Sequence, residues 1–576
     1  MFNRYFQQEL ANLKELGAEF SRKHPAVAPM LSGLSADPDV ERLLEGVAFL
    51  AALLRQKLDD DFPEIINELF QLIWPHFLRP IPAATIVAFK PKAALKQPVR
   101  VKRGTLLASV PVEGTTCHFK TCYDVNVQPL NLEAARGEQK PGRPPRITLK
   151  LKLQGLTLDQ WQAGSLRFHL GGDYPRAADT FFLLLRHLNR IILRTENGPA
   201  CVLPPSCLQA VGMDPEESLL PYPSQSFPAY RILQEYFVLP VKYLFLELSG
   251  LERWQNRGDG ESFEIVFELE KPPFDLPHLR QEDFVLFATP AINIFEHDAE
   301  PVRIDHRHQE YMVRPGGSHK GQYQVYAVDG VTGFSQGTAR ERTFAPFETF
   351  APRQQEQPVF HTRIQRSPIR PGFDFYISVI YPPGQEPLRP ETLSIRLRCT
   401  NGFLPESLQV GDICRATSSS PEMVDFTNIR PPTSNILPPL GRNLLWHLVS
   451  HLCLNYRSLA TAENLKALLA LYNFEENRDR PAFLANQKRI DGIQAVSSRP
   501  SDRLVDGVIM RGRAIDMQLR QDHYAGPGDL FLFGSVLDAF FGAYSAINSF
   551  TRLVVKETLK GVRYQWPART GDQILI

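Results

Sequence analysis

The feature that most constrains this chain is the segment from Asp37 to Leu58, whose middle is apolar on every side. Its first two residues, Asp37 and Pro38, are typical of a helix start. An Asp side chain can accept hydrogen bonds from the N–H groups of the first turn, and a proline at the first helical position lacks only an N–H that would have no partner within the helix. The run Val47–Leu54 contains no polar side chain. A helix that is hydrophobic all round must be surrounded by other structure, so this segment predicts a helix with more than one packing neighbour.

We predict that the apolar side chains of this helix form an interface with partner subunits. They either recur at three- and four-residue steps or lie in its apolar middle: Val40, Leu43, Leu44, Val47, Phe49, Leu50, Leu53, Leu54 and Leu58. The sequence predicts two shorter helices beside it, one over Phe2–Phe20 and one that Pro63 opens and Pro75 ends. These two cover only part of a long helix, so helices of other chains would complete the bundle. The alternative is an intramolecular bundle that the later domains close.

Composition argues against several classes of protein. The chain has 576 residues, and its 64 Lys+Arg nearly balance 63 Asp+Glu, so no overall charge attracts it to nucleic acid or to an anionic membrane. Its longest apolar runs are about eight residues, far short of the ~20 that a membrane span needs, and its start does not resemble a secretory signal. The seven cysteines are scattered without a disulfide pattern. We therefore expect a cytoplasmic protein.

Hydrophobic periodicity predicts an α+β fold, with an N-terminal helical bundle segment, a β-rich multi-lobed middle region and a C-terminal α/β domain. Apolar and polar residues alternate most clearly over Arg146–Leu153, which predicts a strand with one wet side. Segments rich in charge, proline or serine are predicted to be loops: 133–145, 339–358 and 414–439. The predicted domains are 1–83, 84–250, 251–430 and 431–576.

The last predicted domain contains helices and a strand pair. Helical periodicity returns over 444–454, and two strands are predicted at Ile493–Val496 and Val508–Leu519. After them, Asp529 can cap a helix that is the most aromatic of the chain.

No sequence motif points to catalysis. The phosphate-binding GxxxxGK[ST] and the zinc-binding HExxH patterns are both missing from the sequence. Two cysteine pairs, Cys117 with Cys122 and Cys201 with Cys207, each supply half of a zinc site, and neither has a neighbouring partner pair. Histidines cluster over 297–319, a pattern that a solvated strand also shows. We predict no catalytic, cofactor-binding or metal site.

Long segments of the chain resemble the TssF family, baseplate subunits of bacterial type VI secretion systems. The similar segments include YFQQELANLKELGAEFSRKHPAVAPML and DPDVERLLEGVAFLAALLRQKLDDDFPE near the N-terminus, RPIPA at Arg79–Ala83, CHFKT at Cys117–Thr121, AINIF at Ala291–Phe295, and the C-terminal LLWHLVSHLCLNYRSL and GDLFLFGSVLDAFFGAYSAINSFTRL. They cover essentially the whole chain in order, and they are packing motifs rather than chemical ones.

The resemblance implies a non-enzymatic role in assembly, without cofactors and with no catalytic residues to transfer. Proteins of this family act in the cytoplasm of Gram-negative bacteria, where two copies join one TssG in a wedge similar to that of contractile phage tails. TssK and the sheath-linked TssE attach to the wedge, and several wedges surround the hub beneath the spike. The contractile sheath is built on this platform, which other subunits dock at the inner-membrane complex. A helical bundle shared between subunits would explain why Val47–Leu54 is apolar on every side.

Two alternatives remain open at this point. One is a wedge subunit of a phage tail or of another contractile injection device, which would share the mechanics. The other is a β-rich protein that binds or processes carbohydrate, which would need a concave pocket of converging polar and aromatic groups.

Overall fold

A computed structural model of the chain describes residues 2–24, 38–73, 75–195, 198–222, 228–317, 322–335, 341–347, 357–367, 372–382, 390–438, 461–474, 479–505 and 508–571. For 2–4, 56–73, 75, 505 and 508, the description covers the backbone only. The chain divides into two compact units, and each is described by itself. The predicted N-cap at Asp37 and the predicted helix over 444–454 lie outside the described residues.

Seven α-helices lie within the described residues: α1 (Phe2–Lys23), α2 (Pro38–Ile73), α3 (Tyr174–Arg186), α4 (Ala229–Val238), α5 (Ala462–Leu471), α6 (Arg480–Asp491) and α7 (Pro527–Ala543). The strands are β1 (Ala84–Pro91), β2 (Val99–Val101), β3 (Leu106–Val112), β4 (Thr115–Thr121), β5 (Val125–Val127), β6 (Leu130–Glu138), β7 (Arg146–Leu153), β8 (Ser165–Leu170), β9 (Leu188–Arg194), β10 (Cys201–Leu203), β11 (Leu208–Val211), β12 (Phe245–Ser249), β13 (Ser262–Leu269), β14 (Phe284–Leu286), β15 (Ala288–Ile292), β16 (Phe295–Asp298), β17 (Val302–Ile304), β18 (Tyr311–Val313), β19 (Gln324–Ser335), β20 (Glu341–Pro346), β21 (Val359–Arg366), β22 (Phe373–Ile380), β23 (Glu391–Thr400), β24 (Val424–Asn428), β25 (Ile493–Val505), β26 (Val508–Leu519), β27 (Ser549–Glu557), β28 (Arg563–Gln565) and β29 (Arg569–Thr570). The predicted α+β class is confirmed.

The first unit contains α1 and α2, which pack against each other. The prediction that a separate helix opens at Pro63 is wrong, because α2 continues without a break from Pro38 to Ile73. A proline inside a helix removes one backbone hydrogen bond and crowds one carbonyl. In a helix of 36 residues that local loss is not enough to divide the helix.

The centre of the second unit is a five-stranded sheet in the order β24-β1-β15-β4-β3. Its strand β1 pairs antiparallel with both β15 and β24, so that Val87 lies opposite Thr289 on one side and Asn428 on the other. Segments from two of the predicted domains therefore share one sheet. The boundaries of the four predicted domains stay a prediction.

The prediction that 414–439 is a surface loop is wrong for its second half. This segment contains β24, and Ile436 forms an isolated bridge with Ile81. The buried Asn428 side chain accepts hydrogen bonds from the backbone N–H groups of Gly411 and Ile413, and it donates to the carbonyl oxygens of Gln409 and Arg430. Because one amide satisfies four backbone groups, part of this irregular segment can lie against the sheet.

Two further sheets lie beside this one in the second unit, with the orders β10-β9-β13-β7-β6 and β11-β12-β8-β14. The strand predicted at Arg146–Leu153 is β7 with the same bounds. The prediction that 133–145 is a loop is wrong for its first half, since β6 continues to Glu138 and pairs with β7. A charged segment can pair in this antiparallel sheet because the side chains on its solvent-facing side need no burial.

A fourth sheet has the order β16-β23-β19-β20-β21-β22-β18, with β17 paired to β23. An isolated bridge between Ala299 and Pro315 links its two end regions, and the Glu300 N–H donates to the Arg314 carbonyl oxygen at 2.8 Å. These contacts curl the sheet on itself. Of the predicted loop 339–358, residues 341–346 form β20 and the rest is described only at 347 and 357–358.

The C-terminal sheet combines the β25–β26 hairpin with β27, which pairs parallel to β26. Helix α7 connects those parallel strands and is almost wholly buried. It begins at Pro527, so Asp529 lies in its first turn and is not the predicted N-cap residue. The reason is a tertiary one: the Asp529 carboxylate is buried, and it accepts hydrogen bonds from Tyr174 Oη at 2.7 Å and from Arg489 Nε at 3.0 Å.

Helix α7 approaches α3 closely at a glycine. A Cβ atom on Gly528 would lie 2.2 Å from the carbonyl carbon of Ala178, a distance that no packing tolerates. We expect Gly528→Val to push the two helices apart and to lower the free energy of unfolding by roughly 3 kcal/mol. Urea unfolding followed by tryptophan fluorescence measures this loss.

The matched control for this prediction is Gly164→Val. A Cβ atom on Gly164 would meet nothing within 4 Å, and this glycine is exposed. The control should change the free energy of unfolding by less than about 0.5 kcal/mol. Equal urea midpoints for the two variants would contradict the close approach of α3 and α7.

Candidate functional site

Buried charged side chains form a closed ionic network around Glu235. The Glu235 carboxylate accepts hydrogen bonds from Lys242 Nζ at 2.5 Å and from Arg231 Nη1 at 3.2 Å, and from the backbone N–H groups of Leu219 and Leu220. Burial opposes ionisation of Glu235, but the charges of Lys242 and Arg231 outweigh it and lower the pKa of this carboxyl.

The network has no room for a substrate. The Lys242 ammonium donates a second hydrogen bond to the Gly212 carbonyl oxygen at 2.7 Å, and Arg231 Nη2 donates to the Met213 carbonyl oxygen at 3.0 Å. Glu235 and Lys242 are fully buried. The hydrogen-bond donors and acceptors of this network therefore bond to other groups of the protein, as in a structural ion pair rather than an active site.

The cysteines and histidines singled out in the sequence do not converge. No group of three or more His, Cys, Asp or Glu side chains that could hold a metal ion occurs in the ranges that the structure describes. Cys117 and Cys122 are buried, and burial raises the pKa of their thiols to about 11 and about 12. Both are therefore neutral thiols. His306 and His308 lie in the turn between β17 and β18, not on an alternating strand.

The candidate functional site is instead the apolar surface of α2. It is formed by six large side chains that are 43–70% exposed: Leu43, Val47, Phe49, Leu50, Leu53 and Leu54. We call these six residues the apolar face. Each large side chain left in water forgoes roughly 1.5–3 kcal/mol of burial free energy, so six together are costly unless another surface covers them.

Helix α2 buries two alanines and exposes large apolar side chains. Ala48 and Ala52, one turn apart, are fully buried in the first unit. Leu50 and Leu54 lie on the opposite side of the same turns and are 61% and 66% exposed. The burial within the first unit therefore involves small side chains, whereas large apolar side chains of the same turns are exposed.

Two ion pairs fix the arrangement of the two helices. Arg55 on α2 donates to the Glu9 carboxylate on α1, and Lys14 Nζ lies 3.6 Å from Glu41 Oε1. Because both pairs are partly exposed to water, they orient the helices more than they stabilise them. The large apolar side chains are therefore held on the outside.

The structure places the nine predicted interface residues on one helix but not in one environment. Six form the apolar face, whereas Val40 and Leu44 are half-buried. The side chain of Leu58 lies outside the described residues. Sequence reasoning missed two exposed residues on α1, Leu16 and Phe20, which are 61% and 50% exposed. Their four-residue spacing was the available signal.

No helix in the described part of the chain is long and apolar enough to cross a membrane.

The family pattern described as "Type VI secretion system, TssF" matches residues 1–573. The chain belongs to the TssF family. It is 31% identical over 619 aligned positions to the type VI secretion system component TssF1 of Pseudomonas aeruginosa, and the alignment covers 99% of this chain and 98% of that protein. The resemblance seen in the sequence is confirmed, and it decides between type VI secretion and the two alternatives.

Solved structures agree with this assignment. One match is a chain of the type VI secretion system TssK-TssF-TssG baseplate subcomplex, with a TM-score of 0.78, 29% identity, and coverage of 92% of this chain and 98% of that one. A second is a chain of the baseplate complex from the type VI secretion system, with a TM-score of 0.62, 23% identity and full coverage of both chains. The second match supports the fold. The TssF family is a structural baseplate family.

Proposed function

We propose that this TssF-family chain is a structural subunit of the type VI secretion baseplate wedge and that its apolar face is a shared interface. The observation that carries the proposal is the exposure of six large apolar side chains on a helix that buries Ala48 and Ala52. Obligate interfaces resemble a protein core and commonly bury ~2,000 Å² or more. The exposed face of α2, extended by Leu16 and Phe20 on α1, has the chemistry of such an interface.

The partner that the proposal assigns to this face is TssG. A similar chain occurs in a complex with TssK and TssG, which supports those two proteins as partners of this one. A helix-binding groove or a helical bundle is the natural counterpart of a helix with apolar residues at three- and four-residue steps. In the proposed wedge, helices of TssG cover the apolar face.

The wider assembly is also part of the proposal. A second copy of this chain, TssE and the hub and spike components would join the same wedge in the cytoplasm, and other subunits would dock the baseplate at the membrane. Together they would form the platform on which the contractile sheath assembles around the tube. The near-neutral balance of 64 Lys+Arg and 63 Asp+Glu fits binding through shape and apolar contact rather than long-range charge.

Co-expression of this chain with TssG tests the proposal directly. We expect the two proteins to co-purify as a stable complex whose mass, measured by native mass spectrometry, corresponds to two copies of this chain and one TssG. Separate elution of the two proteins at micromolar concentration would reject the wedge.

A further inference from the structure

The outer face of the C-terminal sheet carries a group of cations. Tyr564 of β28 lies on the inner face, where its ring centroid is 6.2 Å from that of Phe531 on α7. Because successive side chains of a strand point to opposite faces, the neighbouring Arg563 lies on the outer face. Lys556 of β27 is the cross-strand partner of Arg563, and Arg552 lies on the same face, four residues before Lys556. We call Arg552, Lys556 and Arg563 the basic face.

Lys556 and Arg563 are two like charges directly opposite each other on neighbouring antiparallel strands. The Cβ atoms of such a pair lie about 4.5–5.5 Å apart, and like charges in this position destabilise the pairing. Both side chains are exposed, and neither forms an ion pair within the residues that the structure describes. An anion bound between the two side chains would remove their repulsion.

Arg552 also has no ion pair among the described residues, and it is more enclosed than the other two cations. Its side chain is half-buried, and its Nε atom is buried without a hydrogen-bond partner in that part of the chain. At about 3.3 Å per residue, Arg552 lies roughly 13 Å from Lys556 along β27. The basic face therefore matches the length of a short extended segment.

A depression of about 300 Å³ opens on the same face of the sheet. Lys556 and Arg563 line it, together with Ser497 and Asp516 from the β25–β26 hairpin. Arg499 Nε lies 3.3 Å from Asp516 Oδ2, so this carboxylate already has a cationic partner. Lys556 and Arg563 therefore give the depression a net positive charge, and Ser497 adds a hydrogen-bonding group.

We infer that the basic face binds an acidic, extended segment of another protein subunit of the baseplate. The inference rests on the proposed function, because it requires a multi-subunit assembly. One carboxylate of the segment would enter the depression between Lys556 and Arg563, and a second carboxylate, four residues along the segment, would reach Arg552. Side chains four residues apart on an extended segment lie on the same face. Because the proposed function assigns α2 to TssG, the acidic segment is expected on a different subunit.

A nucleic acid or an anionic membrane suits this face less well than a protein segment. Proteins that bind DNA mainly through charge make about six to ten phosphate contacts, and lipid-binding segments carry about four to eight basic residues. The basic face has three cations, and the Asp516 carboxylate lines the same depression. A dense row of phosphates would come close to this carboxylate, whereas a protein segment can place a neutral side chain beside it.

Zero-length coupling tests the inference on intact baseplates. A carbodiimide joins a lysine amine to a carboxylate only where the two groups are in contact, so Lys556 should couple to the acidic segment. Purified baseplates and the free chain are treated in parallel, and mass spectrometry identifies the coupled peptides. The reference is Lys488, an exposed lysine of α6 outside the basic face. In baseplates we expect intermolecular coupling at Lys556 to exceed that at Lys488 at least tenfold, with an Asp or Glu of another subunit.

Substitution of the second cation tests whether the recognition depends on charge. Arg563→Glu should lower the intermolecular coupling of Lys556 at least fivefold, because a carboxylate would then occupy the place of a cation, and Arg563→Lys should preserve the coupling. The matched control is Arg480→Glu, a charge reversal at an exposed arginine at the start of α6, which should leave the coupling within twofold. Failure of Arg563→Glu to enter baseplates that Arg480→Glu enters counts as the same loss of binding.

Three results would overturn the inference. The first is intermolecular coupling at Lys556 no greater than that at Lys488. The second is coupling of Lys556 to a carboxylate of its own chain with the same yield in the free chain and in baseplates. The third is binding of an oligonucleotide, or of vesicles of phosphatidylglycerol and phosphatidylethanolamine, that Arg563→Glu abolishes while no protein couples to Lys556.

Failure of this inference and failure of the proposed function give different results. If TssG co-purifies with the chain while Lys556 couples to no other subunit, the wedge stands and the inference on the basic face fails. If TssG does not co-purify but Lys556 still couples to another subunit in baseplates, the proposed interface on α2 fails and the inference on the basic face stands.

Discussion

Leu50→Asp should prevent co-purification with TssG and lower the affinity at least about 100-fold. Leu50 lies in the centre of the apolar face and is 61% exposed, so an aspartate there is harmless in the free chain. In the complex the same carboxylate would be buried without a counter-ion, which costs several kcal/mol. A pull-down of tagged TssG, quantified by biolayer interferometry, measures the loss, and circular dichroism checks that the β-rich unit remains folded.

The matched control carries the same substitution at an equally exposed leucine elsewhere. Leu559 is 59% exposed in the turn after β27, far along the chain from α2. Leu559→Asp should bind TssG with an affinity within twofold of the unmodified chain. If Leu50→Asp binds as tightly as this control, the apolar face is not the interface with TssG.

Lys242→Met should lower the free energy of unfolding of the β-rich unit by roughly 3–5 kcal/mol. The substitution keeps most of the side-chain volume but leaves the Glu235 carboxylate, which is fully buried, with the longer Arg231 contact of 3.2 Å as its cationic partner. It also leaves the Gly212 carbonyl oxygen without the Lys242 hydrogen bond. Breaking a buried ion pair on one side is costly because the remaining charge stays buried. Urea titration followed by circular dichroism gives the change.

An exposed ion pair provides the comparison for this prediction. Arg190 Nε lies 3.1 Å from Glu268 Oε1, and the arginine side chain is half-exposed. Arg190→Met should cost less than about 1 kcal/mol, because water replaces the lost partner of Glu268. Similar urea midpoints for the two variants would show that the Glu235 network does not stabilise the fold.

The local sequence pattern predicted a strand correctly where one face of the strand is exposed to solvent and the other is buried. Strand β7 has the predicted bounds because Ile147, Leu149 and Leu151 are buried and the residues between them are more exposed. The strand predicted at Ile493–Val496 is longer than expected, since β25 continues to Val505. The outer part of β25 has no buried face, so an alternation of apolar and polar residues could not predict it. Only its pairing with β26 defines it as a strand.

Tertiary contacts explain the predictions that were wrong. Proline usually ends a helix, yet α2 continues past Pro63 without a break. The segment 414–439 has the composition of a loop, but Asn428 bonds four backbone groups and holds part of it against the central sheet. Neither the continuity of a long helix nor the partners of one asparagine can be inferred from the residues nearby.

The candidate site was predictable in position but not in detail. Helical spacing alone places Leu50 and Leu54 on one side of α2, because that spacing depends only on the helix period. It could not distinguish the exposed Leu43 from the half-buried Leu44, since their exposure depends on where α1 packs. The Glu235 network was not predictable either, because 63 acidic residues offer no local sign of which one is buried.

The pairing of Val87 with both Thr289 and Asn428 has a consequence for how the chain is made. At a translation rate of about 5–20 residues per second, roughly 17–70 s separate the synthesis of the first of these residues from that of the last. The central sheet cannot close before then, whereas α1 and α2 have already left the ribosome. A partner subunit therefore has that interval in which to meet the nascent helices.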